Sequence, residues 1–312
     1  MNSQFSQPPP YIGRFAPSPT GPLHFGSLVT ALASFLDARA NKGKWLVRIE
    51  DIDPPREQPG ADKLILETLE THGLEWDSSV LYQSSRLAAY EDIIDFLFDQ
   101  GQVYCCDCSR QQLKNHPIYP GTCRHRRLKR RDNFAVRIMV PPQRIQFDDE
   151  IQGVQAQQME QEVGDFVVFR RDGLVAYQLA VATDDAFQHI SKVVRGQDLL
   201  SSTSRQCYLF KTLSINPPEY AHVPIITNIQ GQKLSKQNLA QPLNPRDRLS
   251  NLYTALSVLG QRPPKELIEA DLASLLNWGI NHWSMAQIPR KTQISQSSII
   301  HSNMIKTPYI TK

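Results

Sequence analysis

A proline-rich turn between an apolar strand and a helix is the feature that most constrains this chain. The turn, RFAPSPTGPLHFGS at 14–27, overlaps the apolar segment YIGRF at 11–15. From Phe25 onward, apolar residues recur at helical spacing, and Gly43 is a plausible stop. The segment KWLVRIED at 44–51 then has the pattern of a second strand. This order predicts a right-handed parallel β-α-β unit, whose ligands bind at the carboxyl ends of the strands.

The alternation of strands and helices continues along the chain but is interrupted once. Helical patterns at 61–73 and 87–100 are followed by cysteines, basic residues and Gln-rich irregular sequence, and strand-like apolar runs resume at 165–187. The pattern therefore predicts an α/β domain that is split by an insertion. We expect a flexible N-terminus at 1–10, a catalytic domain in two halves at 11–103 and 166–240, an insertion at 104–165, a helical region at 241–290 and a disordered tail at 291–312.

Composition excludes some classes of protein. Hydrophobic residues make up 40% and charged residues 21%, as in an ordinary globular protein. No apolar run approaches the roughly 20 residues that a membrane helix needs, and no secretory signal is visible, so we expect a cytoplasmic protein without a membrane partner. Four of the five cysteines lie between Cys105 and Cys123, which favours a metal site over disulfides.

A basic run follows the cysteines. RHRRLKRRD at 124–132 concentrates arginine and lysine in a chain whose net charge is only +3. The run can be a solvated basic loop or a surface that binds RNA phosphates. Its position beside a predicted metal site favours the RNA-facing surface.

Two segments predict a nucleotide site. A helix N-terminus attracts phosphate, and His24 can donate a hydrogen bond to it. Gly26 in the first helical turn costs about 1 kcal/mol of helix propensity, so its presence needs a reason, such as a flat ring that must approach the backbone closely. A lone histidine at a helix start is more often structural. The loop GQKLSKQ at 231–237 adds Lys233 and Lys236, whose ammonium groups suit negative charge that develops on a phosphate.

These segments together resemble a known family. PSPTGPLHFGS is similar to the HIGH signature of class I aminoacyl-tRNA synthetases, with His24-Phe25-Gly26-Ser27 in its four places, and KLSKQ resembles their KMSKS loop. The segments RFAPSPTG, RIEDID and YQLAVATDD…VVRGQDLL are similar to the glutamyl and glutaminyl branch. The resemblance extends from residue 11 to about 240. It implies a Rossmann-like parallel sheet.

The resemblance implies a pocket for an amino acid. Arg14 and Arg195 would each bind one carboxylate of L-glutamate, and Glu50 would accept its ammonium group. Ser18 and Tyr177 would add hydrogen bonds. Glutamine would place a neutral amide against one arginine, so the pattern favours glutamate. The alternative is that Arg195 and Glu50 form ion pairs that only stabilise the fold.

The resemblance also implies an ATP site with Mg²⁺ bound to the nucleotide. His24 and Lys236 would hold the phosphates while the carboxylate of the amino acid attacks the α-phosphorus, and Lys233 would assist them in catalysis. Gln237 stands where relatives often have Arg or Ser, which leaves its role open. The residues implied at the ATP site are His24, Gly26, Ser27, Lys233, Leu234, Ser235, Lys236 and Gln237.

The cysteine cluster predicts one structural Zn²⁺. Cys106, Cys108 and Cys123 offer three thiolates, and a structural zinc site normally has four ligands. From the residues alone, the fourth place is open to Cys105, His116, Tyr119 or His125. A family of small relatives, the glutamyl-Q tRNA(Asp) synthetases, has a C-x-C pair, a tyrosine and a cysteine four residues later. That resemblance implies Tyr119 as the fourth ligand.

The length of the chain after the KLSKQ segment bears on the substrate. Only 75 of the 312 residues follow Gln237, which we expect to be too few for an anticodon-binding domain. The resemblance then implies a monomer that makes glutamyl-adenylate without tRNA and transfers glutamate to queuosine in the anticodon arm of tRNA(Asp). The helical region would contact an RNA stem. Alternatives are a truncated glutamyl-tRNA synthetase that charges a tRNA 3′ end and an inactive RNA-binding relative.

Overall fold

The predicted β-α-β unit is present at the start of the chain. The computed structural model describes residues 10–131, 133–234 and 241–301, with only the backbone of 299–301. Strand β1 (Ile12–Phe15), helix α1 (Phe25–Ala40) and strand β2 (Lys44–Ile49) follow one another, and the two strands pair in parallel. The helix ends before Gly43, where a Cβ atom would lie 2.5 Å from the Tyr11 carbonyl oxygen. The glycine is therefore required by a close approach of the backbone.

Two groups of mainly parallel strands lie side by side and form the centre of the molecule. One group has the order β1-β2-β3, with β3 at Leu81–Tyr82. The strands of the second group are β6 (Arg144–Asp149), β7 (Gly153–Gln158), β9 (Lys192–Gly196) and β10 (Glu219–Val223), in the order β7-β6-β10-β9. The N–H of Ser191, just before β9, donates to the Ile12 carbonyl at 2.9 Å and joins the two groups. The predicted α/β class with a parallel sheet is confirmed.

Helices pack on both faces of this sheet. Along β2, Trp45 and Val47 belong to one hydrophobic cluster, and Leu46 packs against another, as the alternation of a strand requires. The other main helices are α2 (Ala61–Thr71), α3 (Leu87–Asp99), α4 (Tyr177–Phe187), α5 (Leu200–Thr212), α6 (Arg248–Val258) and α7 (Leu272–His282). The first cluster contains residues of α1, α2, α6 and α7, and the second contains residues of α3, α4 and α5.

The predicted insertion is more regular than its sequence indicates. Strands β4 (Val103–Cys106), β5 (Ala135–Ile138) and β8 (Val167–Phe169) form a separate antiparallel sheet. The Gln-rich segment that we expected to be irregular forms β6 and β7, because its pairing uses backbone groups and needs few apolar side chains. Since β6 also pairs in parallel with β10, part of the insertion belongs to the central sheet. The domain boundaries stay predictions.

Two expectations about secondary structure are wrong. The apolar run at 177–187 is helix α4, because a segment that is buried on most sides does not show whether its period is that of a helix or a strand. Residues 293–301, expected in the disordered tail, form β12 (Gln293–Ser295) and α8 (Gln296–His301). Strand β12 pairs with β11 (Ile225–Thr227), and Ile294 packs against the first cluster. Across the described ranges, no helix is both long and apolar enough to span a membrane.

Candidate active site

A cavity of about 580 Å³ opens at the carboxyl ends of β1, β2 and β9. This is the edge of a parallel sheet where ligands are expected. The predicted site residues that line the cavity are Arg14, Ser18, His24, Gly26, Ser27, Glu50, Tyr177, Arg195, Lys233 and Leu234. Ser235, Lys236 and Gln237 were also predicted and lie outside the described residues. The structure therefore brings together every predicted amino-acid and nucleotide residue that it describes, while their roles stay predictions.

The prolines of the turn have a structural purpose. The Pro17 carbonyl accepts a hydrogen bond from Glu50 N–H at 3.0 Å, and the Pro19 carbonyl accepts one from Gln58 N–H at 2.9 Å. Proline has a fixed φ and no N–H of its own, so these residues present carbonyl groups without adding donors that need partners. The turn is thereby held against the end of β2. Glu50 is fixed at the edge of the cavity.

His24 caps helix α1 and also lines the cavity. Its Nδ1 accepts from the Ser27 N–H at 3.2 Å, and its Nε2 lies 3.1 Å from the Ser27 hydroxyl oxygen. Since Nδ1 accepts, the neutral ring carries its proton on Nε2, which can donate. A Cβ atom at Gly26 would lie 3.3 Å from the His24 ring. The glycine thus leaves room for His24 itself, whereas we expected it to leave room for a bound ring.

A buried ion cluster forms the floor behind Arg14. Arg14 donates to Asp185 through Nε and Nη2, and Arg48 donates to the same carboxylate through Nη1 at 2.8 Å. Arg48 Nη2 also donates to Glu50 at 3.4 Å. Burial alone would raise the pKa of Asp185, but the positive charges of Arg14 and Arg48 together have the larger effect and hold the pKa below its ordinary value. Burial dominates at Glu50, and its pKa is raised although the two arginines oppose the change.

Arg48 and Asp185 were missed by the sequence analysis. Arg48 was inside the predicted strand KWLVRIED, where a charged residue among buried neighbours was a usable signal. Asp185 had no such signal, because it lies on α4, 137 residues from Arg48.

Arg195 is held on one side by a second buried network. Its Nε donates to His222 Nε2 at 3.0 Å, and its Nη2 donates to the Thr203 hydroxyl at 2.9 Å. Its Nη1 is buried and has no hydrogen-bond partner within the described part of the chain. His222 Nδ1 lies 2.5 Å from Asp149 Oδ2. Burial, assisted by Arg195, lowers the pKa of His222 although Asp149 opposes this, so the ring is neutral.

Tyr177 and Ser18 complete the part of the cavity around these charges. Tyr177 is the first residue of α4, and burial together with the charge of Glu50 raises the pKa of its phenol to about 12. The hydroxyl therefore stays protonated and can donate. Ser18 is exposed within the turn, and its carbonyl accepts from Thr20 N–H.

The KLSKQ segment starts at the edge of the cavity. The Leu234 N–H donates to the Ile226 carbonyl at 2.8 Å and ties the segment to β11. Lys233 Nζ donates to Asp198 at 2.5 Å, and both side chains are partly exposed. Asp198 also lines the cavity, so the lysine and its acidic partner lie at the same mouth.

The cysteine cluster lies in the antiparallel sheet and its adjoining loop. The Sγ atoms of Cys106, Cys108 and Cys123 are all within 4.8 Å of one another. The Tyr119 hydroxyl oxygen lies 3.4 Å from Cys106 Sγ and 3.6 Å from Cys108 Sγ. Four ligands at about 2.3 Å from a tetrahedral Zn²⁺ are about 3.8 Å apart, so this donor set fits a zinc ion. Cys105, the other cysteine of this segment, does not belong to the group.

Groups around the cluster favour the thiolate of Cys106, whereas burial raises the pKa of the Cys108 thiol to about 11. Arg126 donates to Cys123 Sγ at 3.4 Å and to Asp107 at 2.6 Å. Burial raises the pKa of Cys106, but hydrogen bonds with Tyr119 and Arg137 outweigh it and lower the pKa overall. Such outer contacts orient the ligands of a metal.

The basic run is partly neutralised. Its ion pairs join Arg124 to Asp165, Arg126 to Asp107 and Arg130 to Asp95. Arg127, Lys129 and Arg131 form no ion pair within the described ranges. An RNA-facing surface therefore stays a prediction that rests on about half of the run.

Three kinds of comparison place the chain among known proteins. Residues 12–245 match the family model of the catalytic domain of class I tRNA synthetases (E and Q). A glutamyl-Q tRNA(Asp) synthetase of Pseudomonas paraeruginosa is 51% identical over 93% of this chain and 99% of its own length. One of Thiobacillus denitrificans is 53% identical over 89% of this chain and 95% of its own length.

Solved structures agree at the level of the fold. A glutamate tRNA ligase from Elizabethkingia meningosepticum superposes with a TM-score of 0.77 at 22% identity, over 91% of this chain and 66% of that one. A glutamate-tRNA synthetase from Elizabethkingia anophelis gives the same TM-score over 94% and 70%. With its half-identical relatives and its matching catalytic domain, the chain belongs to the glutamyl-Q tRNA(Asp) synthetase family of class I tRNA synthetases.

Proposed function

We propose that this protein activates L-glutamate with ATP and transfers the glutamyl group to queuosine at the wobble position of tRNA(Asp). The observation that carries the proposal is the charge of the cavity. Two buried arginines that line the cavity, Arg14 and Arg195, are accompanied by one buried acid, Glu50. Two positive charges minus one negative charge leave +1. L-Glutamate has two carboxylates and one ammonium group, hence −1, and so complements the site.

The arrangement also suggests how the amino acid lies. Arg195 lines the cavity, and its buried Nη1 group has no partner in the described chain, so a carboxylate that reached it would receive a charge-assisted hydrogen bond. Arg14 is fixed by Asp185 and would bind the second carboxylate. Glu50 would accept from the ammonium group. Glutamine would leave one arginine facing an amide, which favours glutamate as the substrate.

The first step would be adenylation. An oxygen of the glutamate α-carboxylate attacks the α-phosphorus of ATP, and the bond from that phosphorus to the pyrophosphate oxygen breaks. His24, with Nε2–H as donor, Lys233 and Lys236 would stabilise the negative charge that develops on the phosphates. Mg²⁺ would accompany the nucleotide. The products are glutamyl-adenylate and pyrophosphate.

The second step would be transfer to RNA. A hydroxyl of the cyclopentene ring of queuosine attacks the glutamyl carbonyl carbon and gives up its proton to solvent, an ester forms, and AMP leaves with the electrons of the broken acyl–phosphate bond. The names of relatives at about 50% identity support this acceptor over a tRNA 3′ end. We also infer that the enzyme acts as a cytoplasmic monomer on the anticodon arm of tRNA(Asp). Light scattering on the complex with tRNA(Asp) would test the 1:1 stoichiometry.

We further propose that Cys106, Cys108, Tyr119 and Cys123 hold one structural Zn²⁺. Zinc would join the loop after β4 to the segment around residue 123. Burial and the neighbouring thiols raise the pKa of the Tyr119 phenol, so the cation itself would have to displace its proton for a phenolate to bind. The thiolates are thus the stronger ligands of the set.

One experiment tests both steps. Exchange of labelled pyrophosphate into ATP is expected with glutamate in the absence of tRNA, and not with glutamine. Labelled glutamate and ATP are then given with tRNA from cells that make queuosine and from cells that do not. Label is expected only on the first pool. Equal labelling of both pools would contradict transfer to queuosine and favour charging of a 3′ end.

A further inference from the structure

We propose that Asp149 and His222 form a positioning pair. The pair fixes the guanidinium of Arg195 so that its Nη1 group is left for the substrate, and thereby sets the affinity for glutamate. Neither residue lines the cavity, and both are almost fully buried behind Arg195. The inference rests on the proposed function, because it assigns Arg195 to a carboxylate of the substrate.

The hydrogen bonds allow only one direction of donation. Arginine can only donate, so His222 Nε2, 3.0 Å from Arg195 Nε, must be an acceptor. A neutral imidazole that accepts at Nε2 carries its proton on Nδ1, and Nδ1 lies 2.5 Å from Asp149 Oδ2. The carboxylate therefore selects the tautomer that the arginine requires. A ring with its proton on Nε2 would place two donors against each other.

Asp149 is itself held in place by the backbone. Its Oδ1 accepts from the N–H groups of Ile151, Gln152 and His222 at 2.8–3.1 Å. Burial raises the pKa of Asp149, but hydrogen bonds from the His222 side chain and from the N–H groups of Gln152 and His222 together outweigh it and leave the pKa lowered, so the group is ionised. Three backbone donors and the end of β6 thus fix the carboxylate that orients the ring.

The consequence for Arg195 is a division of its donors. Nε is used by His222 and Nη2 by Thr203, while Nη1 has no partner within the described residues. Tyr220 stacks on His222, with ring centroids 6.1 Å apart and an interplanar angle of 15°. The arginine is thus clamped on one side and retains a donor for the ligand. A clamped guanidinium loses less entropy when a carboxylate binds.

The first test is an isosteric change of Asp149. In Asp149→Asn, the amide oxygen can keep the backbone bonds while the amide NH₂ faces His222, which reverses the tautomer. We expect the KM for glutamate in pyrophosphate exchange to rise roughly tenfold or more, with the KM for ATP within about twofold of wild type. A defect that only loosened the fold would not single out one substrate.

Two variants of His222 separate its hydrogen bonds from its volume. His222→Leu removes both bonds, and we expect it to behave like Asp149→Asn. His222→Gln keeps an acceptor for Arg195 and a donor for Asp149, so its KM for glutamate should return to within about threefold of wild type. Asp165→Asn is the matched control. Asp165 is another buried carboxylate that accepts a backbone N–H, from Val140, and it does not line the cavity.

A measurement on the unmodified protein does not depend on any variant folding. Nitrogen-15 NMR of the histidine side chains reports the tautomer, and we expect His222 to carry its proton on Nδ1. A proton on Nε2, or a KM for glutamate in Asp149→Asn equal to that of Asp165→Asn, would overturn the positioning role. Wild-type enzyme without glutamate-dependent exchange would instead overturn the proposed function, and this inference with it.

Discussion

Arg14 donates to both carboxylate oxygens of Asp185, from Nε at 3.1 Å and from Nη2 at 3.3 Å, and both side chains are almost completely buried. Arg48 donates to the same carboxylate. One acid on α4 therefore fixes a strand residue at the cavity and the arginine beside it. The fold and the site share this ion cluster, so a change in Asp185 should affect both.

We predict that Asp185→Asn lowers the free energy of unfolding by about 3 kcal/mol and weakens glutamate binding. The change leaves two buried guanidinium groups without their shared counter-charge, and breaking a buried pair from one side costs about 3–5 kcal/mol. Denaturant titration measures the loss. Asp95→Asn breaks the exposed pair with Arg130 and should cost at most about 1 kcal/mol. Equal losses of unfolding free energy in the two variants would show that the buried cluster stabilises the fold no more than an exposed ion pair does.

How much of this could be predicted from the sequence depends on the distance between partners along the chain. The strand, turn and helix of 11–51 and the gathering of Arg14, His24 and Glu50 were predictable, because local patterns and the topology of parallel strands place them together. The basis of the resemblance, in the RFAPSPTG and KLSKQ segments, is also local. These features are properties of short segments.

The supporting residues were not predictable in the same way. Asp149 and His222 are 73 residues apart, and neither stands in a pattern that indicates a site. Strand β12 forms through backbone bonds to β11 in a polar segment, which leaves no apolar alternation to read. Partners that meet only through tertiary structure leave no periodic signal.

The KM for glutamate should depend on pH through Glu50. Burial raises the pKa of this carboxyl, so in the free enzyme it takes up a proton at a higher pH than an ordinary glutamate. The protonated form cannot pair with the ammonium group of the substrate. We therefore expect the KM for glutamate to rise as the pH falls through this pKa, while the KM for ATP changes less. In Glu50→Gln, the KM should be high and independent of acid pH. A wild-type KM that stays constant across the acid range would contradict this role.

Cys106→Ser should release the metal. Serine is a poor zinc ligand, and the three thiolates with Tyr119 provide the donor set, so zinc measured by atomic absorption should fall from about one equivalent to well below one half. Cys105→Ser is the control, since Cys105 is its buried neighbour in β4 and lies outside the cluster. Full zinc content in Cys106→Ser, or its loss in Cys105→Ser, would show that the ligand set is wrong.

Removal of either lysine of the KLSKQ segment should slow adenylation without unfolding the protein. Loss of one preorganised donor to a developing negative charge costs about 10²–10³-fold in rate, and we expect this for Lys233→Ala and Lys236→Ala. Pyrophosphate exchange measures the rate, and thermal melting monitors the fold. Lys63→Ala, on the exposed face of α2, is the control because Lys63 does not line the cavity. Exchange near the wild-type rate would remove the substituted lysine from the mechanism.

Gly26→Ala should separate stability from activity. Alanine favours a helix over glycine by about 1 kcal/mol, so the first turn of α1 should gain stability. The new Cβ would lie 3.3 Å from the His24 ring and 3.7 Å from Ile226 Cβ, so the ring must move by a few tenths of an ångström. A small displacement of a group that acts on the transition state can cost up to about 10²-fold, and we expect kcat/KM for pyrophosphate exchange to fall about tenfold or more. The free energy of unfolding should stay within about 1 kcal/mol of wild type. If activity is unchanged, the position of the His24 ring does not limit catalysis, and the glycine serves only the packing of the turn.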